Sequence, residues 1–407
     1  MSTPSVPPRG HRDTVTSVPA RPEVMLALAT VGFAVTFWAW ALLSPLGVSL
    51  REELGLTSFE QSLIVAVPVI VGSLGRIPVG ALTDRVGARR MFPTVAVLTA
   101  LPVLYLGHLA DSFAEYLVAG FVLGLGGTTF AVGVPFVNAW YPPQRRGLAV
   151  GIFGAGMGGT AISSFTTVQL VETVGPSFPF DLVAVALVVF AGVAALLLRD
   201  PPDRAVPTGS MLARTLGTLR MPVTWYLAFL YAVTFGGFVA FSVYEPTYLA
   251  TAYGLERSDA AFRTAGFVVL AVAARPVGGW LCDRFPPIPV LTVTFGVVTV
   301  LAVLASFELP LIPVGTAAFL GLAAALGAGT GAVFALVTRV VEPERVGAVT
   351  GVVGAAGGLG GFFPPLVMGL VYGAMRDYTV GYLLLAATAA TAGVVTATAV
   401  ARQTAGS

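Results

Sequence analysis

The chain has 407 residues, of which 56% are hydrophobic and only 10% are charged, and its formal net charge is +2. Soluble domains carry about 25% charged residues, so this composition excludes an ordinary soluble enzyme and predicts an integral membrane protein with many spans. The small net charge gives no reason to expect a nucleic-acid partner.

Several kinds of chemistry are disfavoured by residue usage. All 22 basic residues are arginine, which excludes a Schiff-base lysine and a phosphate-binding loop lysine. Cys282 is the single cysteine, so an internal disulfide cannot form. The two histidines, His11 and His108, lie in the N-terminal tail and near a predicted helix end. We therefore expect no metal site and no cofactor.

The chain begins with a polar segment that is followed by a series of apolar runs. Residues 1–22 are rich in Pro, Ser and Thr, lack a signal peptide pattern and predict a disordered cytoplasmic tail. A helix needs about 20 apolar residues to cross a bilayer. About twelve runs approach this length, at 24–48, 60–82, 91–109, 114–139, 147–170, 181–198, 223–248, 263–282, 288–307, 311–338, 346–373 and 379–400. Short polar breaks inside 91–139 and 288–338 leave ten or eleven spans open as the alternative.

The second run carries an arginine motif that returns in the eighth. Arg76 starts the pattern Arg-x3-Gly-x-Leu-x-Asp-Arg, and the same pattern starts again at Arg275, 199 residues later. In each copy the aspartate follows the arginine by eight residues, about 12 Å along a helix. If the aspartate marks the membrane surface, each arginine lies near the middle of a hydrocarbon core about 30 Å thick. Because a charge there costs at least about 2.5–3.5 kcal/mol, the pair predicts a functional site.

The chain divides into two repeated halves. Residues 199–222 form the long polar break and predict a cytoplasmic linker between an N-terminal six-helix half, 23–198, and a C-terminal half, 223–407. Outside the two motif arginines, sixteen arginines fall on one predicted side of the membrane and four on the other: Arg51, Arg257, Arg263 and Arg376. The positive-inside rule then predicts that both termini are cytoplasmic.

A second repeated motif is dense in glycine. Arg145-x-Gly-x3-Gly-x2-Gly-Ala recurs 200 residues later, beginning at Arg345. Glycines at helical spacing let membrane helices pack closely, and they also expose backbone dipoles to a ligand. Both interpretations, close packing or the wall of a gate or site, remain open. The candidate positions are Gly154, Gly158, Gly354 and Gly358.

These motifs together resemble a known family. They are Phe37-Trp38 with Ser44-Pro45-Leu46, Leu74 to Pro78, Thr129-Phe130-Ala131, Leu230 to Phe238, and the glycine runs with Gly360 to Pro364. From about Phe33 to about Tyr372 the chain is similar to the nitrate/nitrite porters (NarK-type) of the major facilitator superfamily.

The resemblance implies an all-α membrane protein with twelve transmembrane helices in two pseudo-symmetric halves, working as a monomer in the cell membrane. It also implies a nitrate or nitrite site between the halves, with Arg76 and Arg275 as the arginine pair, Phe130 and Phe334 as stacking rings, and Tyr231 beside them. Two departures concern the site. Gly158 stands where the family often has an anion-contacting asparagine, and the two phenylalanines are 204 rather than 200 residues apart.

The residue types agree with an anion carrier. A guanidinium offers a planar fork of donors that suits the oxygens of a small planar anion. Glu245 is the acidic residue that could reach inward, since we expect the others in loops or at span ends. Two arginines without a carboxylate favour nitrate/nitrite exchange over proton-coupled symport. A carrier for another small anion such as formate or oxalate, and a sensor that binds without transporting, are the alternatives; an enzyme is not expected.

Overall fold

A computed structural model of the chain describes residues 21–201, 217–341 and 346–400. Within these ranges every regular element is helical, as expected for a chain whose backbone must satisfy its own hydrogen bonds in lipid. The first 20 residues and residues 202–216, which include most of the predicted tail and much of the predicted linker, lie outside the described residues.

The described helices form twelve segments, several of which are broken. They are α1 (Pro22–Trp40 and Leu43–Leu54), α2 (Ser58–Leu74 and Arg76–Val86), α3 (Ala88–His108), α4 (Phe113–Leu123, Gly124–Thr128 and Thr129–Trp140), α5 (Pro143–Gly154, Ala155–Gly158 and Gly159–Thr173), α6 (Phe178–Leu197), α7 (Pro222–Ala252), α8 (Arg257–Arg284), α9 (Pro287–Ala305), α10 (Leu311–Gly315 and Thr316–Val340), α11 (Val346–Gly360 and Phe363–Met375) and α12 (Thr379–Val395 and Thr396–Val400).

The helices agree with the predicted membrane fold. By length and apolar composition, ten helices of the described chain can cross a membrane, and the bent pair of α2 makes eleven. Segment α5 is the sequence repeat of α11, and we count it as the twelfth. The predicted fold class is therefore confirmed. Several helices extend beyond the apolar runs; α1 continues through Arg51 to Leu54, because a helix need not end where the apolar stretch ends.

Glycines set the distance between the arginine-bearing helices and their neighbours. In the C-terminal half, the glycines Gly278, Gly327 and Gly331 bring the backbones of α8 and α10 into contact. In the N-terminal half, a Cβ placed on Gly127 of α4 would lie 2.8 Å from the Cα of Gly72 on α2. Such contacts need residues without a side chain, since the backbones could not otherwise approach. Each arginine is thus carried on a helix that is packed backbone against backbone.

The two halves are joined at the end of the bundle that holds the α1–α2 and α7–α8 turns. The Ser44 hydroxyl lies 3.0 Å from the carbonyl oxygen of Ser242 and 2.6 Å from that of Val243, so α1 donates to α7. Nearby, Gln61 of α2 donates to the Thr247 hydroxyl at 3.0 Å. These contacts hold this end of the bundle together, opposite to the end where Asp84 closes the arginine motif.

An ion pair and a ring contact add to the same connection. Arg257 at the start of α8 pairs with Glu52 at the end of α1. Phe165 of α5 and Phe262 of α8 meet edge to face with ring centroids 4.9 Å apart. Because the ion pair is partly exposed to solvent, the apolar and buried contacts contribute more to this closure than the charges.

The backbone contact between α8 and α10 yields a prediction with a neighbouring control. A Cβ on Gly278 would overlap the carbonyl oxygen of Ala328, whereas one on Gly279 would have no atom within 4 Å in the described part of the chain. We expect Gly278→Ala to destabilise the protein by about 1–3 kcal/mol, because overpacking forces the helices apart. Gly279→Ala should melt like the unaltered protein. Thermal unfolding of both purified variants in detergent measures the difference, and equal melting temperatures would contradict the packing described.

Candidate functional site

Arg76 lies at the break of α2 and is buried between the halves. Arg76 directly follows Gly75, at the point where the axes of the two parts of α2 are bent by 41°. Arg76 is 8% exposed. Its Nη1 donates to the carbonyl oxygen of Gly354 at 2.9 Å, and its Nε donates to that of Gly127 at 3.4 Å. The guanidinium is therefore held by α11 of the opposite half and by α4 of its own half.

The side chain of Arg275 reaches from the C-terminal half to the N-terminal half, opposite to the direction of Arg76. It lies in the continuous helix α8, is partly buried, and places Nη1 2.7 Å from the sulfur of Met157 on α5. A thioether sulfur is a weak acceptor, so this contact stabilises the guanidinium less than the carbonyl oxygen stabilises Arg76. The two arginines thus reach from one half to the glycine-rich run of the other, although only Arg76 gains a strong acceptor there.

The repeated glycines differ in what they face. A Cβ on Gly154 would lie 3.8 Å from Nη1 of Arg275, and one on Gly354 would lie 4.0 Å from Nη1 of Arg76. These two glycines face the guanidinium groups at matched points of the repeat. Gly358 instead packs against the Ser73 side chain, whereas a Cβ at the corresponding Gly158 would have no atom of the described residues within 4 Å. The four candidate glycines therefore form two arginine-facing positions, one packing contact and one open position.

Aromatic rings cover both guanidinium groups. The Cζ of Arg76 lies 5.2 Å from the ring centroid of Phe130, and the Cζ of Arg275 lies 5.8 Å from that of Phe334. A cation above a ring within about 6 Å is attracted by the ring quadrupole. Each phenylalanine therefore lies beside the arginine of its own half, even though their spacing departs from the 200-residue repeat.

Tyr231 of α7 connects the two sides of the site. Its ring meets Phe334 edge to face at 4.8 Å and stacks on Phe235 at 5.0 Å with 5° between the planes. It is fully buried and interacts electrostatically with both Arg76 and Arg275. The structure therefore brings together all five of the predicted arginine and aromatic residues.

Two residues near the arginines were not among the predicted site residues. Phe235 lies 5.6 Å from the Cζ of Arg76. Its position four residues after Tyr231 places it on the same face of α7, and this spacing is the signal that could have found it. Met157, the partner of Arg275, carries no comparable signal, because its contact depends on how the halves meet.

The space beside Arg76 is small. A cavity of about 10 Å³ is lined by Arg76 together with Trp40, Ser73 and Phe235 among others. That volume is close to what a single water molecule needs. An anion of three or four heavy atoms can therefore enter beside Arg76 only if the halves or the side chains separate.

The electrostatics of the site are dominated by two positive charges. The ion pairs recorded for the described residues, such as Arg257 with Glu52 and Arg263 with Asp259, do not involve Arg76 or Arg275. Backbone carbonyls, a thioether, aromatic faces and one tyrosine surround the two guanidinium groups instead. This arrangement can bind a small anion, which would supply the negative charge and the acceptor oxygens that the surroundings lack.

Two repeated helical halves that enclose a charged site at their interface define a membrane carrier of the alternating-access type. The sequence profile of the Major Facilitator Superfamily matches residues 29–363 and 227–406.

Named relatives make the assignment narrower. The "Probable nitrate/nitrite transporter NarK2" of Mycobacterium tuberculosis (strain ATCC 25618 / H37Rv) is 50% identical over 367 residues, which cover 89% of this chain and 93% of the relative. The "Nitrite extrusion protein" of Bacillus subtilis (strain 168) is 37% identical, with 90% and 91% covered. The chain belongs to the nitrate/nitrite porter family of the major facilitator superfamily, which confirms the resemblance read from its motifs.

Solved structures agree at the level of the fold alone. A crystal structure of the D-xylose-proton symporter superposes with a TM-score of 0.72 at 14% identity, covering 91% of this chain and 96% of the other. A bacterial homologue of the human lysosomal transporter Spinster, inward-facing and occupied, superposes with a TM-score of 0.70 at 18% identity, covering 96% of both chains.

Proposed function

We propose that the chain is a secondary active transporter that moves nitrate and nitrite across its membrane by alternating access and exchanges one anion for the other. The names of its relatives support transport of these anions. The observation that carries the proposal is the crossed arginine pair, in which Arg76 reaches Gly354 and Arg275 reaches Met157 across the interface of the halves.

The geometry suits a small planar monoanion. Each guanidinium presents a planar fork of donors, which matches an ion whose oxygens lie in one plane. Phe130 and Phe334 lie over the two guanidinium groups and exclude water from one side of each. Charged contacts strengthen when water is excluded, so an anion held between the halves would bind both arginines more strongly than it could in solution.

Exchange follows from the partners that the arginines have without an anion. A guanidinium has five N–H donors. Arg76 makes two hydrogen bonds to backbone carbonyls, and Arg275 contacts a thioether and the Tyr231 hydroxyl. Closing the halves around the empty site would strip water from the remaining donors of both groups, at an effective cost of several kcal/mol for each charge. An anion offsets this cost, so the loaded carrier changes conformation more readily than the empty one.

Glu245 is the residue that would favour proton symport instead. It is a buried acid on α7, 3% exposed, which makes it the best candidate proton carrier. However, it lies fourteen residues beyond Tyr231, about 21 Å along the helix axis. It lines a different cavity, inside the C-terminal half. This separation supports exchange over direct coupling of a proton to the anion site.

We place the carrier in the cell membrane with both termini in the cytoplasm, on the basis of the arginine asymmetry. Residues 1–22 would then be a cytoplasmic tail and residues 199–222 a cytoplasmic linker. In this orientation the contacts of Ser44, Gln61 and Arg257 close the outer end of the bundle. We further propose that a monomer is sufficient for transport, since the site is built within one chain, and that the anion leaves chemically unchanged.

The arginine pair predicts a loss of transport on replacement by lysine. Arg76→Lys and Arg275→Lys each keep a positive charge but lose the planar fork. We expect nitrate uptake into nitrite-loaded proteoliposomes to fall at least tenfold, about 1.4 kcal/mol, at equal protein content. Arg263→Lys, on α8 but paired with Asp259, is the matched control and should transport normally. Near-normal flux in either site variant would refute the assignment of the site.

The arginine-facing glycines predict a block of movement. Gly154→Leu places a branched side chain against Arg275, and Gly354→Leu places one against Arg76. Both lie at the interface along which the two halves must move during transport. We expect nitrate exchange to fall more than tenfold, while insertion into liposomes stays within twofold. The controls are Gly151→Leu and Gly351→Leu, one turn earlier, where no atom of the described residues lies within 4 Å of an added Cβ. If all four variants exchange nitrate at similar rates, Gly154 and Gly354 are not at a moving contact.

Obligate exchange is tested by comparing nitrate uptake into vesicles that are loaded with nitrite and into vesicles that are free of permeant anions. Labelled nitrate should enter rapidly when nitrite is trapped inside and slowly when the vesicles hold no permeant anion. A pH gradient applied to the anion-free vesicles should change the uptake little, because Glu245, the best candidate proton carrier, lies fourteen residues beyond Tyr231 on α7 and lines a different cavity. Strong accumulation of nitrate in anion-free vesicles, driven by the pH gradient and lost in Glu245→Gln, would establish proton symport instead.

A further inference from the structure

A large apolar cavity lies within the C-terminal half, between α7, α11 and α12. Its volume is about 400 Å³, and its lining includes Phe241, Tyr244, Tyr248, Met368 and Tyr382. Neither arginine of the anion site lines it. We call it the α7–α12 cavity. Cavities of this size that are lined mainly by apolar and aromatic side chains are typical of sites for small organic ligands.

The cavity contains one buried acidic group. Glu245 lines it and is 3% exposed, and its Oε2 has no hydrogen-bond partner among the described residues. An isolated carboxylate in apolar surroundings is very costly. The energetically acceptable states are a protonated carboxyl or a carboxylate paired with a cation. An ionisable group inside the membrane usually indicates a functional site. Glu245 is not part of the anion site described above, so it points to a second site.

The cavity is elongated and open to the outer surface of the bundle. Its lining extends along α7 from Phe229 to Tyr248, about 28 Å at 1.5 Å per residue, with Glu245 near one end. At its rim, Phe363 is 61% exposed and Leu384 is 48% exposed. These apolar residues face the lipid in a membrane-spanning bundle, so a ligand can enter sideways from the bilayer.

The chemical nature of the lining residues favours a ligand with a positive charge. Among the described residues, the cavity lining includes Glu245 and several aromatic rings but no arginine or histidine. Tyr248 and Tyr382 meet edge to face at 5.2 Å, and Tyr382 interacts electrostatically with Glu245. Aromatic faces attract ammonium groups, and a carboxylate adds the countercharge. An anionic or zwitterionic phospholipid headgroup would bring a phosphate for which no basic partner lines the cavity.

We propose that the α7–α12 cavity binds an amphiphilic monovalent ammonium cation, with its charged head at Glu245 and its apolar tail along α7. This site is separate from the anion site, and it does not depend on whether the carrier exchanges anions or couples them to protons. The proposal rests on the cavity, the unpartnered carboxyl group and the aromatic lining.

Binding can be measured directly on the full chain. The probe is radiolabelled hexyltrimethylammonium, and the protein is purified in the uncharged detergent dodecyl maltoside and examined by equilibrium dialysis. We expect saturable binding at one site per chain. Glu245→Gln should weaken it at least tenfold, because the countercharge is lost while the shape is kept. Glu256→Gln, an exposed glutamate at the α7–α8 turn, should bind the probe normally.

A second pair of variants keeps the test independent of the stability of Glu245→Gln. Thr388→Trp narrows the cavity from its exposed rim on α12, whereas Thr391→Trp lies on the same helix outside the lining. We expect the first to weaken binding at least tenfold and the second to leave it unchanged.

Several results would overturn the proposal. The first is the absence of saturable binding to the unaltered protein. The second is equal binding by the unaltered protein, Glu245→Gln and Thr388→Trp. The third is displacement of the probe by 2,2-dimethyloctane, its uncharged carbon isostere, as effectively as by unlabelled hexyltrimethylammonium. That result would show that the cavity accepts apolar chains without selecting a charge.

Discussion

The cost of keeping two guanidinium groups near the middle of a membrane protein is the constraint on which the rest of this structure depends. Arg76 and Arg275 lie between the halves without a carboxylate partner in the described residues. Their surroundings consist of carbonyl oxygens, a sulfur and aromatic faces, which only partly replace water. An anion would complete this environment, so in the exchange mechanism that we propose the affinity for substrate and the reluctance of the empty carrier to close would have the same electrostatic origin.

Glycines make this arrangement possible in two different ways. At Gly278 and Gly331 the lack of a side chain lets α8 and α10 touch along their backbones, which holds Arg275 on a rigid support. At Gly154 and Gly354 it leaves room for a guanidinium from the opposite half. The first role concerns packing inside one half, and the second concerns contact between halves that must separate during transport. The same residue type therefore serves both stability and movement.

The pseudo-symmetry of the halves is close but not complete. Arg76 finds a carbonyl oxygen across the interface, while Arg275 finds the sulfur of Met157. Arg76 also contacts two rings, Phe130 and Phe235, whereas one ring is recorded for Arg275. Arg275 also interacts with the Tyr231 hydroxyl, which lies in its own half. The symmetry of the motifs thus conceals a difference in what each arginine contacts across the interface.

By itself, the sequence determined the membrane class, the repeated halves, the paired arginines and, through its motifs, the family and the ring residues Phe130, Phe334 and Tyr231. The membrane class, the halves and the arginine pair follow from hydropathy and from spacings that local helix geometry preserves, whereas the family and the ring residues follow from the resemblance of the motifs to known porters. Only the tertiary structure decided that Met157 contacts Arg275, that Gly358 packs on Ser73 while Gly158 faces open space, and that Glu245 lines a separate cavity. These depend on how helices far apart in the chain meet, and periodicity along one helix does not specify which side chain a neighbouring helix will present.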